Sequence, residues 1–296
     1  MTDAPRTDAD VPALWRGLGL PGLADIHVHF LPERMLEKVW AYFDAAEEHY
    51  GRPWPVQYRY DEPTRLRLVR DLGLRGVPSL CYPHKPGMAR WLNDWCAEFA
   101  QRVPDAVPSA TLFPEPDAGE YVTAALTGGA RLFKAHVQVG DYSPDDPLLD
   151  PAWGPLQDAA VPVVLHAGSA PLRGAYTGPG AVEAVLRRFP RLTLVIAHLG
   201  MSEYDAFADL AERYENVHLD TTMAGTDFTE AIAPMPPGYV DRLADLGPKI
   251  VLGSDFPNIP YAYAHQLEAL VRLGLGDDWL RAVLWDNGAR LMRLPG

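Results

Sequence analysis

Lysine is nearly missing from this chain. Of 26 basic residues only four are lysine, at positions 38, 85, 134 and 249, so a lysine turned inward would be notable. Basic charge as a whole is short, because 39 acidic residues leave a formal net charge of −13. Binding to phosphate backbones needs basic surface, so nucleic acid is not an expected partner. Cysteine is scarcer still. Cys81 and Cys96 lack metal-type spacing and are too few for a disulfide scaffold, which predicts a reducing compartment. No apolar run is long enough to span a bilayer, and the polar, acidic residues 1–10 do not resemble a secretion signal. These absences predict a soluble cytoplasmic protein with a small-molecule substrate and no membrane partner. A homodimer is the default assembly.

What is present is a regular alternation. Residues 1–20 read as a lead-in, and 21–296 as one domain. Short apolar runs recur at 23–29, 76–81, 107–112, 130–136, 161–166, 192–198, 217–221 and 249–254. Helical patterns separate them at 90–102, 121–126, 180–189, 261–273 and 277–294. Asp150-Pro151 reads as a helix start, and residues 202–205 resemble a capping box. Eight strand–helix units predict a single-domain (β/α)8 TIM barrel in the α/β class. One segment breaks the rhythm, the aromatic-rich insertion 31–63 after the first strand, with a helix expected over 33–49. A connection this long is either a functional lid or a surface excursion packed by its own aromatics.

In such a barrel, functional groups sit at the C-terminal ends of the strands. The first run reads Asp25-Ile-His27-Val-His29. Alternation along a strand turns both imidazoles to one side, which is half of a metal site. Later runs end in Lys134-Ala-His136, His166-Ala-Gly168, His198-Leu-Gly200 and Gly253-Ser-Asp255. Five of nine histidines thus stand at strand ends, with an aspartate at the last. Buried side chains of this kind need partners, and a divalent cation supplies one. His49, His84, His218 and His265 read as ordinary packing or surface residues, and Phe256 and Pro257 as pocket wall. Trp40, Trp54 and Tyr58 read equally as lid or as packing.

In combination these motifs resemble the amidohydrolase superfamily, in particular the branch with aminocarboxymuconate-semialdehyde decarboxylase-like proteins and related hydrolases. The resemblance runs from Asp25 to the final helix. It implies one metal held by His27, His29, His166 and Asp255, with His198 catalytic or in contact with substrate. Three imidazoles and a carboxylate suit Zn2+, with Mn2+ or Fe2+ as alternatives. A water in the open position would ionise near neutrality. Asp255 would accept the proton of the attacking water, and His198 would polarise the carbonyl or protonate the leaving group. Asp25 is expected behind the ligands, fixing a ring tautomer, or else as a plain structural contact. Lys134, His136 and Arg173 are expected to bind substrate, for example a carboxylate. At the position of Lys134 other amidohydrolases carry a carbamate bridging two metals, and the adjacent His136 argues against that here.

The resulting expectation is a metal-dependent hydrolase acting on an amide, imide, ester or lactone of a small carboxylic-acid-type substrate. The same branch hosts nonoxidative decarboxylases of aromatic or unsaturated acids. These often carry a glutamate soon after the His-x-Gly of the sixth strand, where this chain has Met201-Ser202 and only then Glu203. A metal-free lactonase and a barrel kept as a binding scaffold are the remaining alternatives.

Overall fold

The computed structural model describes residues 3–295. Its strands are β1 (Val77–Pro78), β2 (Ala106–Val107), β3 (Ser109–Thr111), β4 (Leu132–His136), β5 (Val163–His166), β6 (Leu194–Ile196), β7 (Val217–Asp220) and β8 (Ile250–Val251). All pairings are parallel, β1 with β2 and then β3 through β8 in chain order. β2 and β3 are one run divided at Pro108, which has no N–H to give to a ladder. Its carbonyl still accepts from Arg131 N at 2.8 Å.

Residues 23–30 close the ring, although they form only two isolated bridges, Leu23 with Leu74 and Val28 with Phe256. On one side Leu23 N donates to Gly73 O and Leu80 N to Val28 O. On the other, Ile26 N donates to Leu252 O and His29 N to Phe256 O. The eight expected runs therefore form a (β/α)8 TIM barrel, with the first bonded to both of its neighbours. Leu23, Ile26, Val28, Phe133, Val164 and Leu219 are among its fully buried residues. Among the described residues, no helix is long and apolar enough to cross a membrane.

Three local expectations change. The lead-in expected over 1–20 is, over its described residues 3–20, not loose. The helix Val11–Gly17 buries Val11, Leu14 and Trp15, and Asp8 accepts from Tyr58 Oη and Ala264 N. The helix expected over 33–49 is two, Glu33–Asp44 and Ala46–Tyr50. The capping box at 202–205 does not form: the N-cap falls on Glu203 rather than Ser202, and the Glu203 carboxylate accepts from Ser169 N at 3.0 Å.

Two residues before Asp220, His218 is buried and its Nδ1 has no partner. Burial, followed by the charges of Arg290 and Lys249, pushes this ring down to about 4. The unfolded chain takes up the same proton near 6.5, so it binds more protons than the folded one between the two values. Stability is therefore expected to fall as pH drops through that window, by on the order of 2 kcal/mol between pH 7 and pH 5 from this residue. Denaturant midpoints of His218→Asn at both pH values should show a flatter acid limb than wild type. An unchanged slope would remove His218 from the account.

Candidate metal centre and cavity

The site begins with the alternation in residues 23–30. His27 and His29 face the barrel mouth with ring centroids 5.1 Å apart, and Asp255 arrives from the chain after β8. The donor atoms of His27, His29 and Asp255 lie within 4.8 Å of one another, the one such metal-type group among the described residues.

The proton bookkeeping of this group is fixed by the surroundings. His27 Nδ1 lies 2.9 Å from Asp220 Oδ2, so it carries the proton and donates. His29 Nδ1 lies 2.6 Å from Leu80 O, which can only accept. Each ring is thereby left with its Nε2 lone pair toward Asp255. His29 Nε2 stands 2.8 Å from Asp255 Oδ1, and His27 Nε2 3.7 Å from the same oxygen. A nitrogen lone pair and a carboxylate oxygen at 2.8 Å repel unless a proton or a cation lies between them. The donor set thus fits a divalent cation by its own chemistry. Where a proton rather than a cation lies between them, burial pushes the Asp255 carboxyl up, but the hydrogen bond from the protonated His29 and the charges of His29, His27 and His198 outweigh it and hold the group below its usual range.

Lys134, fully buried, places Nζ 2.8 Å from His27 Nε2. Burial brings its ammonium down to about 8, against the opposing pull of Asp220 and Asp255. Burial, and then the Lys134 charge, hold His27 well below the ordinary histidine value.

Backbone conformations at the site are costly. His198 (φ 58°) and Asp255 (φ 72°) are both left-handed, a region that non-glycine residues occupy at a cost of about 1 kcal/mol or more. The His198 N–H is held by Asp220 Oδ1 at 2.9 Å. Two motif glycines allow the close approaches. A Cβ on Gly168 would lie 2.2 Å from Met201 O, where the turns after β5 and β6 touch. A Cβ on Gly253 would lie 2.3 Å from Thr222 Oγ1 and 3.0 Å from both Asp220 Cγ and His27 Cβ.

The other sequence candidates divide. His166 and His198 reach the same cavity, but His166 is not in the tight donor group. Its ring stacks on His136 at 4.1 Å and stands 4.7 Å from His198. Burial first holds His136 and His166 well below the ordinary histidine value, and holds His198 below it as well. Arg173 is exposed and does not line the cavity. Phe256 is core, packed 4.8 Å from Tyr58, rather than pocket wall. Asp25 fixes no ring tautomer. It accepts from His27 N and Tyr263 Oη, and burial pushes it up to about 7. The tautomer of His27 is set by Asp220, which the sequence reading missed. Its signal was available, since Asp220 is a carboxylate at the end of an apolar run, the position that singled out the histidines.

Above this floor lies a cavity of about 510 Å³, within the usual range for small-molecule sites. The insertion builds one side of it, with Met35, Val39, Tyr42, Phe43, Tyr50 and Trp54 facing the space. The segment is pinned rather than loose. Trp54 stacks on Phe43 at 5.0 Å, lies edge-on to Phe228 at 4.8 Å, and donates Nε1–H to Asn258 O at 2.7 Å. Gln57 N donates to Ile259 O. The 31–63 segment matches neither expectation alone: it is packed by its own aromatics and forms a wall of the cavity. Trp40 and Tyr58 do not face the space, and His84, expected as a plain surface residue, does.

Comparisons with known proteins agree with this architecture. The sequence matches the family model described as amidohydrolase over residues 24–294. Among curated proteins, none matches. Solved structures share the fold at low identity. An uncharacterised TIM-barrel protein from Bordetella bronchiseptica is 20% identical with a TM-score of 0.67, covering 91% of this chain and 98% of its own. A 5-carboxyvanillate decarboxylase from Novosphingobium aromaticivorans, complexed with manganese, is 15% identical with a TM-score of 0.56, covering 94% and 97%. A probable 2-pyrone-4,6-dicarboxylic acid hydrolase from Acinetobacter baumannii is 14% identical with a TM-score of 0.58, covering 92% and 99%.

Proposed function

Because the chain belongs to the amidohydrolase family and is an enzyme, we propose that it is a metal-dependent hydrolase that adds water to the carbonyl of an amide, imide, ester or lactone. The observation that carries this reading is the convergence of two oriented Nε2 lone pairs and the Asp255 carboxylate at the cavity floor. His27, His29 and Asp255 would hold the cation, with His166 beside them, and Zn2+, Mn2+ or Fe2+ would suit the set. When bound, the metal would supply Lewis-acid polarisation and lower the pKa of water.

The remaining work falls to the chain. The second oxygen of Asp255 accepts the proton of the attacking water. The lone pair on His27 Nε2 serves either the Lys134 ammonium or a cation, so filling the site frees Lys134 to donate to a substrate oxygen. His198 lies within reach of the same floor, 5.3 Å from His27 between ring centroids, and there polarises the carbonyl or protonates the leaving group. The fold does not choose between hydrolysis and decarboxylation. Glu203 favours hydrolysis, because its carboxylate is spent on Ser169 N and does not line the cavity.

Protein loaded separately with Zn2+, Mn2+ and Fe2+ should be assayed on aryl esters, lactones, cyclic imides and dihydroxybenzoate-type acids. The expected result is hydrolysis that is lost on chelation and restored by metal. Robust CO2 release without hydrolysis would replace this reading with the decarboxylase. Full activity in chelator would replace it with a metal-free lactonase.

A further inference from the structure

The cavity has a charge pattern that the reaction at its floor does not use. The protein has 39 acidic residues, yet among the described residues the one acidic side chain lining the cavity is Asp255, which is engaged by His29. Two of the four lysines line it, Lys134 at the floor and Lys38 on the helix Glu33–Asp44. His84 lines it as well, and Lys85 follows in sequence. Lys38, His84 and Lys85 are exposed, and none of them has a hydrogen bond or ion pair among the described residues. They are within electrostatic reach of one another. Burial, and then the charges of Lys85 and Lys38, lower the affinity of the His84 ring for a proton. In a chain this acidic and this poor in lysine, surface lysines would ordinarily find carboxylates. Here Lys38 and His84, exposed and lining the cavity, stand at its opening, with the charge of Lys85 acting on His84. Between floor and opening, the surface is aromatic and aliphatic, from Phe43, Trp54 and Tyr82 to Met201 and Ile232.

Resting on the hydrolase reading only for which end of the ligand reacts, we infer that the substrate is an amphiphilic anion. It has an aromatic-sized apolar body filling the cavity, a reacting carbonyl at the His27–His29–Asp255 floor, and a negatively charged group at the mouth beside Lys38 and His84. Apolar walls provide affinity by area removed from water. Positive groups at the rim of a low-dielectric cavity raise the local concentration of anions and orient them as they enter. A short aliphatic acid would leave most of the roughly 510 Å³ unfilled. A neutral hydrophobe would leave the mouth charges without a partner.

Calorimetric titration of the metal-loaded protein tests this without requiring turnover. The probes are naphthalene-2-sulfonate and its neutral counterpart, methyl 2-naphthyl sulfone. The sulfonate is expected to bind about tenfold or more tightly than the sulfone. That preference should shrink as salt rises from about 20 to about 200 mM, since the mouth is solvent-exposed. Lys38→Gln combined with Lys85→Gln should erase most of it while leaving sulfone binding unchanged. Val39→Asp should weaken the sulfone as well, by placing a carboxylate on the apolar wall. Equal affinity for the two probes, or a preference untouched by the lysine replacements, would overturn the inference. A protein that shows the preference but hydrolyses nothing would sink the hydrolase reading alone. Efficient hydrolysis of neutral esters with no preference for an anion would sink this inference alone.

Discussion

His29→Ala is expected to lose stoichiometric metal and to reduce kcat/KM by at least about a thousandfold. His29 contributes one of the two Nε2 lone pairs at the floor, and no other imidazole is placed to replace it. His27 is already in the group, and His166 is stacked on His136 outside it. The variant also leaves the Asp255 carboxylate without its closest partner, a buried anion short of compensation. Metal content by mass spectrometry should fall from about one ion per chain toward none at matched protein recovery, as expected when ligands rather than surface carboxylates hold the ion. Asp255→Asn separates holding from chemistry. The amide keeps the shape of the side chain but is a poor proton acceptor, so kcat should fall about 10²–10⁴-fold, more than metal content does. A His29→Ala protein with full metal and wild-type kcat would end the proposal of a metal centre at this position.

The second large effect is expected at a residue that need not touch either metal or substrate. In Asp220→Asn the side-chain oxygen keeps its two backbone donors, His198 N at 2.9 Å and Thr222 N at 3.1 Å. Those two donors fix which way the amide turns, so its NH2 replaces the oxygen that faces His27 Nδ1. A donor there favours an accepting Nδ1 and moves the ring proton toward Nε2, against Thr222 Oγ1 at 3.0 Å from Nδ1 and Lys134 Nζ at 2.8 Å from Nε2. The lone pair that would bind a cation is then gone. Orienting partners of metal-binding histidines are typically worth about 10–100-fold in metal affinity, and a reversed tautomer should lie at or beyond the upper end. Competition titrations with a chromogenic chelator would measure the affinity, and nitrogen NMR of the His27 ring would report the tautomer directly. Unchanged affinity together with an unchanged ring tautomer would show that Asp220 serves only the backbone of the β6 turn.

Much of this centre was legible before any coordinates. Alternation along a strand turned His27 and His29 to one side, and polar groups at strand ends singled out Asp255 together with His136, His166 and His198. The choice of ligands among them came from the family resemblance, which also named His166, outside the tight donor group. The eight apolar runs likewise gave the barrel, because parallel strands buried on both faces read as continuous apolar segments. Failures came where a side chain had more than one nearby partner to choose from. Ser202 and Asp205 spell a helix cap, but the cap position falls on Glu203, whose carboxylate accepts from Ser169 N in the turn after β5. Arg173 lies in a glycine-rich loop whose path is set by contacts that no local pattern encodes, and it ends in solvent. Asp220 obeys the same positional rule, but its partner His27 lies far away in sequence, and no local pattern says which imidazole a strand-end carboxylate will orient. Residues 8–17 looked polar enough to be loose, yet three apolar side chains on one helical face were sufficient to anchor them.

The way the insertion is attached has an evolutionary consequence. Its wall is one uninterrupted stretch of sequence, hung from the end of the first run and tied down at a handful of points such as Trp54 and Gln57. None of the groups that would hold a cation lies within it. Exchange of this single cassette between related barrels would therefore alter what the enzyme accepts while its reactive centre is inherited intact, and selection could retune the one without rebuilding the other.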